Sequence, residues 1–469
     1  MFTSYRGSSD AQHALEQNLA RPAALASADF DEDGTADLVA GYAGPSGGIL
    51  TIHRGNVDAI YPNSPEAKQR KAEGAFAESP FIAPALALEL PEAPDFVATG
   101  DFDADGHWDV AMAANAGNSI YLLSGDGHGS LSSPKSFDLP GRVTALASGE
   151  INRADGLTDI AVAVEAEGSA QVLVFEGPEG ALRSKPEVFP LPAAATGLVL
   201  GRLNEDYWFD LAAATGPAVV VIEGRDRKLS LDATLQSKVP EAIIKQQSLA
   251  FSVRSMSVGN FDGGAGADLA LLATGGTLHM LKQLDQDGRE NRVGSAAGWS
   301  TRKLSADPRP GASQLITARV SSTGRDDLVI ADSANNQLHI VTDELTQLGD
   351  GAQTLNVDGK VAAVLPMRLN ADALSDLVIL RSNQVAPLIV NSPQGPQARF
   401  FVTNKADSGA GSLRQAILDA NEPGARHHRF QHRWRRLAND HSRDTFAKYY
   451  RSRNDRRHDP ARFCRYPYR

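Results

Sequence analysis

The sequence has almost no cysteine, few aromatic residues and no long apolar run. Its single cysteine, Cys464, cannot form an intrachain disulfide, so no disulfide framework holds the fold. No apolar stretch approaches the roughly 18 residues that a membrane-spanning helix needs. The first residues contain neither a basic segment nor an apolar core, so no signal peptide is visible. These absences predict a globular chain without a membrane span, either intracellular or trimmed at its true start.

The charge of the chain is divided unevenly. The net charge is −11 overall, yet residues 426–469 contain 14 Lys and Arg against 4 Asp and Glu. Residues 1–425 contain 32 basic and 53 acidic side chains. An acidic body of this size argues against nucleic-acid and anionic membrane partners, and it suits bound divalent cations.

One sequence motif recurs seven times along the chain. Its clearest copies are ASADFDEDGTADLVAGY, VATGDFDADGHWDVAMA, LASGEINRADGLTDIAVAV and LVLGRLNEDYWFDLAAA. Consecutive copies lie 49 to 72 residues apart, near the period of propeller repeats and above that of helical repeats. The aspartates that close the seven copies are Asp37, Asp109, Asp159, Asp210, Asp268, Asp327 and Asp376.

Each copy has the pattern of one propeller blade. A short strand runs into a polar loop, an Asp opens a second apolar strand, and a third strand rich in β-branched residues follows, as in GILTIHRG and QVLVFEG. With a fourth, less regular strand, the pattern predicts an all-β fold, a seven-bladed β-propeller of four-stranded antiparallel blades with a short irregular C-terminal tail. An array of β-sandwiches is the alternative. Residues 2–6 resemble a third strand, which either completes the last blade or is the remnant of an upstream blade.

The first two loops contain the strongest chemical signal. Both follow the pattern D-x-D-x-D-G-x-x-D, and alternate acids in a tight loop supply the hard oxygen ligands that Ca²⁺ prefers. Four acids this close repel one another without a cation. An EF-hand is excluded because position twelve is Ala40 or Met112 rather than Glu. The predicted ligands, with Thr35 and His107 acting through their backbone carbonyls, are Asp29, Asp31, Asp33, Thr35, Asp37, Asp101, Asp103, Asp105, His107 and Asp109.

The remaining loops lose this pattern in order along the chain. The third loop is one residue longer and offers a weaker candidate set, Glu150, Asn152, Asp155 and Asp159. In the fourth, Arg202 places a cation where the first ligand belongs, and the fifth keeps a partial set. The last two loops begin with Arg319 and Arg368, which we expect to replace the ion by pairing with the closing aspartates.

At these loops the chain resembles the FG-GAP/VCBS repeat family, whose members are similar to the integrin α-subunit propeller. The resemblance covers about residues 20–395 and is most specific in the first three blades. It implies calcium in the loop between the first two strands of a blade, extracellular or cell-surface placement, and protein or glycan ligands on the propeller face. The departures in blades four to seven concern metal binding and not the fold.

No catalytic motif fits its required surroundings. Residues 44–48 match G-x-S-x-G, but a strand follows instead of a helix, which favours a hairpin loop. Residues 125–129 are rich in glycine but lack a βαβ unit and indicate a turn. We therefore expect a monomeric, calcium-binding adhesion or ligand-binding scaffold of a larger surface protein, and not an enzyme. A carbohydrate-binding or carbohydrate-active propeller is the alternative.

The C-terminal end divides into two segments after a propeller at residues 1–395. Residues 396–425 resemble the opening of bacterial surface β-helix domains, in a strand, a Gly-rich loop and a short helix. Residues 426–469 are basic and lack strand alternation, which indicates either a nucleic-acid-binding arm or a disordered product of a frameshift. Suitable codons read one base out of register spell a β-rich string, so the nucleotide sequence decides between these hypotheses.

Overall fold

The chain divides into two compact units, Met1–Gln394 and Gly395–Arg469. The computed structural model describes residues 4–152, 154–204, 206–231, 233–262, 266–283, 299–304, 309–342 and 352–392 of the first unit. In the second unit it describes 398–402, 408–409, 412, 414–415 and 428–432. None of the helices in these ranges has the length and apolar character to cross a membrane.

The first three blades contain strands β1 to β13. Blade 1 comprises β1 (Tyr5–Arg6), β2 (Arg21–Ala28), β3 (Asp37–Gly44), β4 (Gly47–Gly55) and β5 (Phe81–Leu90). Blade 2 comprises β6 (Phe96–Gly100), β7 (Asp109–Ala113), β8 (Ser119–Leu123) and β9 (Lys135–Asp138). Blade 3 comprises β10 (Arg142–Gly149), β11 (Asp159–Ala166), β12 (Ser169–Phe175) and β13 (Glu187–Leu191).

The other four blades follow the same order. Blade 4 comprises β14 (Gly197–Gly201), β15 (Asp210–Ala214), β16 (Ala218–Ile222) and β17 (Ile244–Ser248). Blade 5 comprises β18 (Val253–Gly259), β19 (Asp268–Ala273), β20 (Leu278–Gln283) and β21 (Trp299–Lys303). Blade 6 comprises β22 (Ala312–Ala318), β23 (Asp327–Asp332), β24 (Gln337–Val341) and β25 (Ala352–Asn356), and blade 7 β26 (Val361–Met367), β27 (Asp376–Arg381) and β28 (Gln384–Val390).

The seven sheets form a closed ring. Five have four antiparallel strands, the first has β1 added in parallel, and the seventh has three strands within the described residues. The first strand of each blade contacts the first strand of the next, and β26 of blade 7 contacts β2 of blade 1. The all-β, seven-bladed propeller predicted from the repeat is therefore confirmed.

The hydrophobic core lies between adjacent blades. At least one cluster of buried side chains joins each pair of neighbours, such as Val39 and Leu50 of blade 1 with Val110 and Met112 of blade 2. The second strands are buried on both faces, which explains their continuous apolar runs. In β15 all five residues are buried, and its small alanines allow the neighbouring blades to approach closely.

Helices lie between strands rather than within the blades. They are α1 (Ser9–Glu16), α2 (Val57–Ile60), α3 (Pro65–Ala72), a 3₁₀ turn (Ala181–Arg183) and α4 (Ala233–Gln236). Ser8 starts α1, since its Oγ accepts a hydrogen bond from the backbone N–H of Ala11. The apolar side of α1 packs in the cluster that joins blade 1 to blade 7.

The ring closes through side chains and α1. The Tyr42 hydroxyl of blade 1 donates to the Val385 carbonyl of blade 7 at 2.9 Å. The Asn18 side chain accepts a hydrogen bond from the Val385 N–H at 2.9 Å. β1, the described part of residues 2–6, pairs in parallel with the outer strand β5 of blade 1. Of the two sequence-based alternatives, completion of the last blade is therefore not what the structure shows.

The second unit contains two described strands. These are β29 (Ala398–Val402) and β30 (His428–His432), which pair in parallel. β30 lies in the basic segment that the sequence predicted to be irregular. Most of residues 396–469 lie outside the described residues, so the β-helix and frameshift hypotheses stay predictions.

Candidate metal centre

A loop joins the first strand of each blade to the second, and a buried aspartate closes it. We number these loops 1 to 7 with their blades and call the residue the closing aspartate. Its Oδ2 accepts a hydrogen bond of 2.8 to 3.2 Å from the backbone N–H of the second loop residue in all seven blades. The closing aspartate therefore fixes the loop shape independently of any ion, which explains why it recurs in every repeat.

The other oxygen of the closing aspartate binds the end of the third strand. Oδ1 of Asp37, Asp109 and Asp210 accepts from a glycine N–H at 2.7, 2.9 and 2.8 Å. Glycine is required there because the chain passes close to a carbonyl: a Cβ on Gly125 would lie 2.1 Å from the Trp108 oxygen. The second and third strands are thus joined to the loop by one carboxylate.

Burial makes the ionised closing aspartate costly. It raises the pKa of Asp37 and Asp109 to about 7, of Asp159 to about 9 and of Asp210 to about 6. The hydrogen bonds from backbone N–H groups act in the opposite direction but do not cancel the effect of burial. A nearby cation would favour the ionised form.

Loop 1 gathers three carboxylates. Oxygens of Asp29, Asp31 and Asp33 lie within 4.8 Å of one another. Asp29 accepts from the N–H groups of Asp33 and Gly34 at 3.1 and 2.9 Å, which folds the loop around its first residue. Gly34 has φ +88°, a left-handed conformation that favours glycine, as the turn predicts.

One oxygen in loop 1 has no donor. The Asp31 side chain is only 5% exposed, and its Oδ1 lacks a hydrogen-bond partner among the described residues. Its Oδ2 is contacted by the Arg54 guanidinium from β4. The buried Thr35 hydroxyl oxygen also lacks a partner within the described ranges. Buried polar atoms are rarely left without a hydrogen-bond partner, so these oxygens can accept a further contact.

Loop 2 repeats this arrangement. Oxygens of Asp101, Asp103 and Asp109 lie within 4.8 Å of one another, and Asp101 accepts from the N–H groups of Asp105 and Gly106 at 3.2 and 3.0 Å. Asp103 Oδ1 is buried and has no partner in the part of the chain that is described. Asp103 Oδ2 accepts from the Ser124 hydroxyl at 2.8 Å.

The donor sets of loops 1 and 2 fit a calcium ion. They supply only carboxylate, carbonyl and hydroxyl oxygens, which are the ligands of Ca²⁺. The two clusters contain six of the eight aspartates predicted as ligands. The other two are Asp37, which accepts from backbone N–H groups, and Asp105, which accepts from the His107 N–H at 2.9 Å. The His107 ring forms a hydrogen bond of 2.6 Å with Glu32 of loop 1, and this bond raises the pKa of His107. Carbonyl ligation by Thr35 and His107 stays a prediction.

Loop 3 directs its predicted ligands to different partners. Glu150 accepts from the N–H groups of Asp155 and Gly156, as Asp29 and Asp101 do in their loops. The Asn152 side chain points away, since it donates to Glu176 at 2.7 Å and accepts from the Arg225 N–H at 3.1 Å. Metal binding by Glu150, Asn152, Asp155 and Asp159 stays a prediction, with Asn152 engaged in these other bonds.

A lysine lies among the carboxylates of loop 5. Lys282 Nζ contacts Asp262 and lies 3.1 Å from Asp268 Oδ1. This internal cation is absent from the sequence-based assignment. In loop 4, Arg202 lies over the Phe209 ring, 4.8 Å from its centroid.

The arginines of loops 6 and 7 do not pair with the closing aspartates. Arg319 pairs with Asp326 at 3.2 Å, and Arg368 donates to the Asp372 carbonyl at 2.7 Å. The closing aspartates are bound by short polar side chains instead: Asp327 by the Ser321 hydroxyl at 2.7 Å and Asp376 by the Asn370 amide. The predicted pairings were wrong because those neutral groups already occupy the carboxylates.

The following blade covers each of the first two loops. The Gly129 N–H, between β8 and β9, donates to the Phe30 carbonyl of loop 1 at 2.9 Å. Gly180, between β12 and β13, lies against loop 2, since a Cβ there would be 2.5 Å from the Phe102 carbonyl oxygen. In loop 7, Arg368 lies over Tyr61 of blade 1, 5.8 Å from the ring centroid.

The two catalytic look-alikes are turns. Gly44 pairs with Gly47 where β3 turns into β4, so residues 44–48 form the predicted hairpin. Residues 125–129 follow β8, and Asp126 accepts there from the N–H groups of His128 and Ser130. Neither segment places a nucleophile or a phosphate-binding helix.

Comparisons with known proteins agree with the fold. A sequence model of the FG-GAP-like repeat matches residues 101–153, which include loop 2. No curated protein sequence matches the chain. Two solved structures of BBS1N in complex with ARL6DN, soaked with mercury and with lead, are similar at 12% identity, with TM-scores of 0.49 and 0.48. Each match covers 80% of this chain and 93% of the other, a similarity that says nothing about function. The seven blades and the match over residues 101–153 show a propeller that contains a segment similar to the FG-GAP-like repeat.

Proposed function

We propose that this protein is a calcium-binding, non-catalytic propeller that serves as a ligand-binding scaffold of a surface protein. The observation that carries the calcium assignment is the pair of buried carboxylate oxygens, Asp31 Oδ1 and Asp103 Oδ1, which lack donors in the described structure. Each lies in a cluster of three aspartates at the same position in its blade. Two equivalent loops with the same unsatisfied atom favour a common ligand over chance.

Calcium would offset the repulsion among the ionised carboxylates of each loop. Asp29, Asp31 and Asp33 would hold the ion in loop 1, and Asp101, Asp103 and Asp109 in loop 2. Oxygen-rich sites of extracellular modules bind calcium with Kd of about 10⁻⁴–10⁻³ M. Because cytosolic calcium is too scarce to fill such sites, this affinity supports an extracellular or cell-surface location.

The face opposite the acidic loops offers room for a ligand. Strands alternate in direction, so the β7–β8 turn, the β9–β10 link and the β11–β12 turn lie together on that face. They line a groove of about 780 Å³ with Glu92, Arg142, Glu165 and Glu167 among its side chains. Its polar walls suit a protein or glycan partner.

Isothermal titration of the EDTA-treated protein tests the calcium proposal. We expect uptake of two calcium ions per chain at millimolar concentration. Asp31→Ala should remove the loop 1 ion, Asp103→Ala the loop 2 ion, and Asp327→Ala neither. A folded wild-type protein that takes up no calcium at these concentrations refutes the proposal.

Ligand binding is tested separately with a glycan array and with surface-protein extracts, each with and without calcium. Binding to immobilised protein supports the adhesion scaffold, and selective glycan binding supports the carbohydrate-binding alternative. Hydrolysis or elimination of a bound glycan contradicts the non-catalytic assignment.

A further inference from the structure

One position in each blade lies directly opposite the closing aspartate. Leu38 pairs with His53, Val110 with Leu123 and Leu269 with Leu281, so the next position along the third strand faces the aspartate. We call this the facing residue. From blade 1 to blade 7 the facing residues are Arg54, Ser124, Glu176, Glu223, Lys282, Thr342 and Asn391.

In blade 5 the facing residue takes the place that an ion would occupy. Lys282 Nζ contacts both the loop carboxylate Asp262 and the closing aspartate Asp268. Its side chain is only 14% exposed, so the ammonium lies within the loop and not in solvent. A buried cation paired to two carboxylates neutralises them as a bound metal would.

In blade 1 the facing residue is a partial substitute. Arg54 contacts Asp31 Oδ2 through both Nε and Nη2, whereas Asp31 Oδ1 stays without a donor. The Arg54 side chain is 50% exposed, so it can turn away from the loop into solvent. Loop 1 therefore keeps its oxygens available but already has one positive charge beside them.

In blade 2 the facing residue is neutral. The Ser124 hydroxyl donates to Asp103 Oδ2 and adds no charge. The nearest cation to Asp103 is Arg183 among the described residues, at 3.9 Å and 56% exposed. Loop 2 is thus the acidic cluster with the least internal compensation of its charge.

We propose that the facing residue sets the calcium demand of each blade: Ser124 leaves loop 2 as the tighter calcium site, Arg54 weakens loop 1, and Lys282 makes loop 5 independent of calcium. The inference rests on the proposed calcium function and assigns a further role within it. A unit charge about 4 Å from a divalent ion lowers affinity by about tenfold or more, even with the screening of bulk water.

Exchange of the facing residues tests the proposal by calorimetric calcium titration of the whole chain. Arg54→Ser should tighten the loop 1 site by about tenfold, and Ser124→Arg should weaken the loop 2 site by a similar factor. Lys282→Ser should lower the melting temperature without calcium and create a third calcium site. Lys135→Ser removes one positive charge from an exposed position in β9, and Ser248→Arg adds one at an exposed position in β17. Both variants should leave uptake unchanged.

The outcomes separate this proposal from the calcium function itself. Wild-type uptake of two ions, with Arg54→Ser indistinguishable from Lys135→Ser and Ser124→Arg indistinguishable from Ser248→Arg, refutes the role of the facing residue alone. No uptake by the folded wild type or by any variant refutes the calcium function and this proposal together. If Lys282→Ser melts like wild type without calcium and binds no third ion, the lysine does not replace a metal.

Discussion

Removal of one negative charge from loop 2 should have opposite effects with and without calcium. Asp103→Asn keeps the size of the side chain and its ability to accept from Ser124. It removes one of three carboxylates whose oxygens lie within 4.8 Å. Each of the two other carboxylates repels Asp103 by about 1 kcal/mol in a water-like dielectric, and the attraction to Arg183 at 3.9 Å offsets about 1 kcal/mol of this. The calcium-free variant should therefore be more stable by about 1 kcal/mol.

Asp103→Asn should also abolish the stabilisation that calcium binding to loop 2 provides. At about 10 mM calcium, a site with Kd of about 10⁻⁴–10⁻³ M adds roughly 1.4–2.7 kcal/mol to the free energy of unfolding. Asp103→Asn should lose this increment and keep that of loop 1. Chemical denaturation with EDTA and with 10 mM calcium measures both quantities in one series.

The closing aspartate provides the matched control. Asp109→Asn removes a carboxylate of the loop 2 cluster and also leaves the N–H of Phe102 or of Gly125 without an acceptor. It should therefore cost about 1–3 kcal/mol without calcium and lose the loop 2 increment with calcium. Asp327→Asn in blade 6 keeps one oxygen for the N–H groups of Val320 and Ser321 and loses only the bond from the Ser321 hydroxyl. It should cost about 1 kcal/mol with or without calcium and keep the full calcium response. A calcium-free Asp103→Asn protein that is clearly less stable than wild type would show that Asp103 holds the loop by bonding and not by its charge.

Three further outcomes follow from the geometry. Tyr42→Phe removes the hydrogen bond that joins blade 1 to blade 7 and should lower the free energy of unfolding by about 1 kcal/mol, measured in guanidinium. Burial raises the pKa of Asp210 from 3.8 to about 6. Protonation of Asp210 therefore contributes stability to the folded state that is complete below pH 3.8 and is lost as the pH rises through 6. The calcium-free unfolding free energy should fall over that window, and more weakly in Asp210→Asn. Gly180→Ala places a methyl group 2.5 Å from the Phe102 carbonyl oxygen at a residue with φ +104°, so it should lower the melting temperature and weaken calcium uptake by loop 2. Gly156→Ala is the control: its φ is +92° but the space around it is open, so it should lower stability by about 1 kcal/mol and leave calcium uptake unchanged.

The repeat predicted the fold because the closing aspartate has the same bonding task in every blade. A residue that must accept the N–H of the second loop residue marks all seven copies, even where Arg319 or Arg368 begins the loop. The acidic residues of loops 1 and 2 were predicted for a related reason, since their spacing places them on one turn.

The facing residues show what a single sequence leaves open. Arg54 and Ser124 each stand just before a glycine at or just after the end of the third strand, in HRG and LSG, so the sequence contained this signal. Its meaning depends on the hairpin register, which places that residue opposite the aspartate some 15 to 17 positions earlier. The parallel addition of β1 to blade 1 was also hidden, because a two-residue strand has no periodicity of its own.

The covering of each loop by the following blade has a consequence for synthesis on the ribosome. The segment that packs on loop 1 is translated about 100 residues after it, and the segment on loop 2 about 80 residues after it. Truncated chains that end after β13 should therefore already protect both loops from proteolysis. Loop 7 is the exception. Its Arg368 lies over Tyr61 of blade 1, which is translated more than 300 residues before Arg368. The final blade thus packs against residues that were synthesised early, and the ring can close once its last strand has left the ribosome.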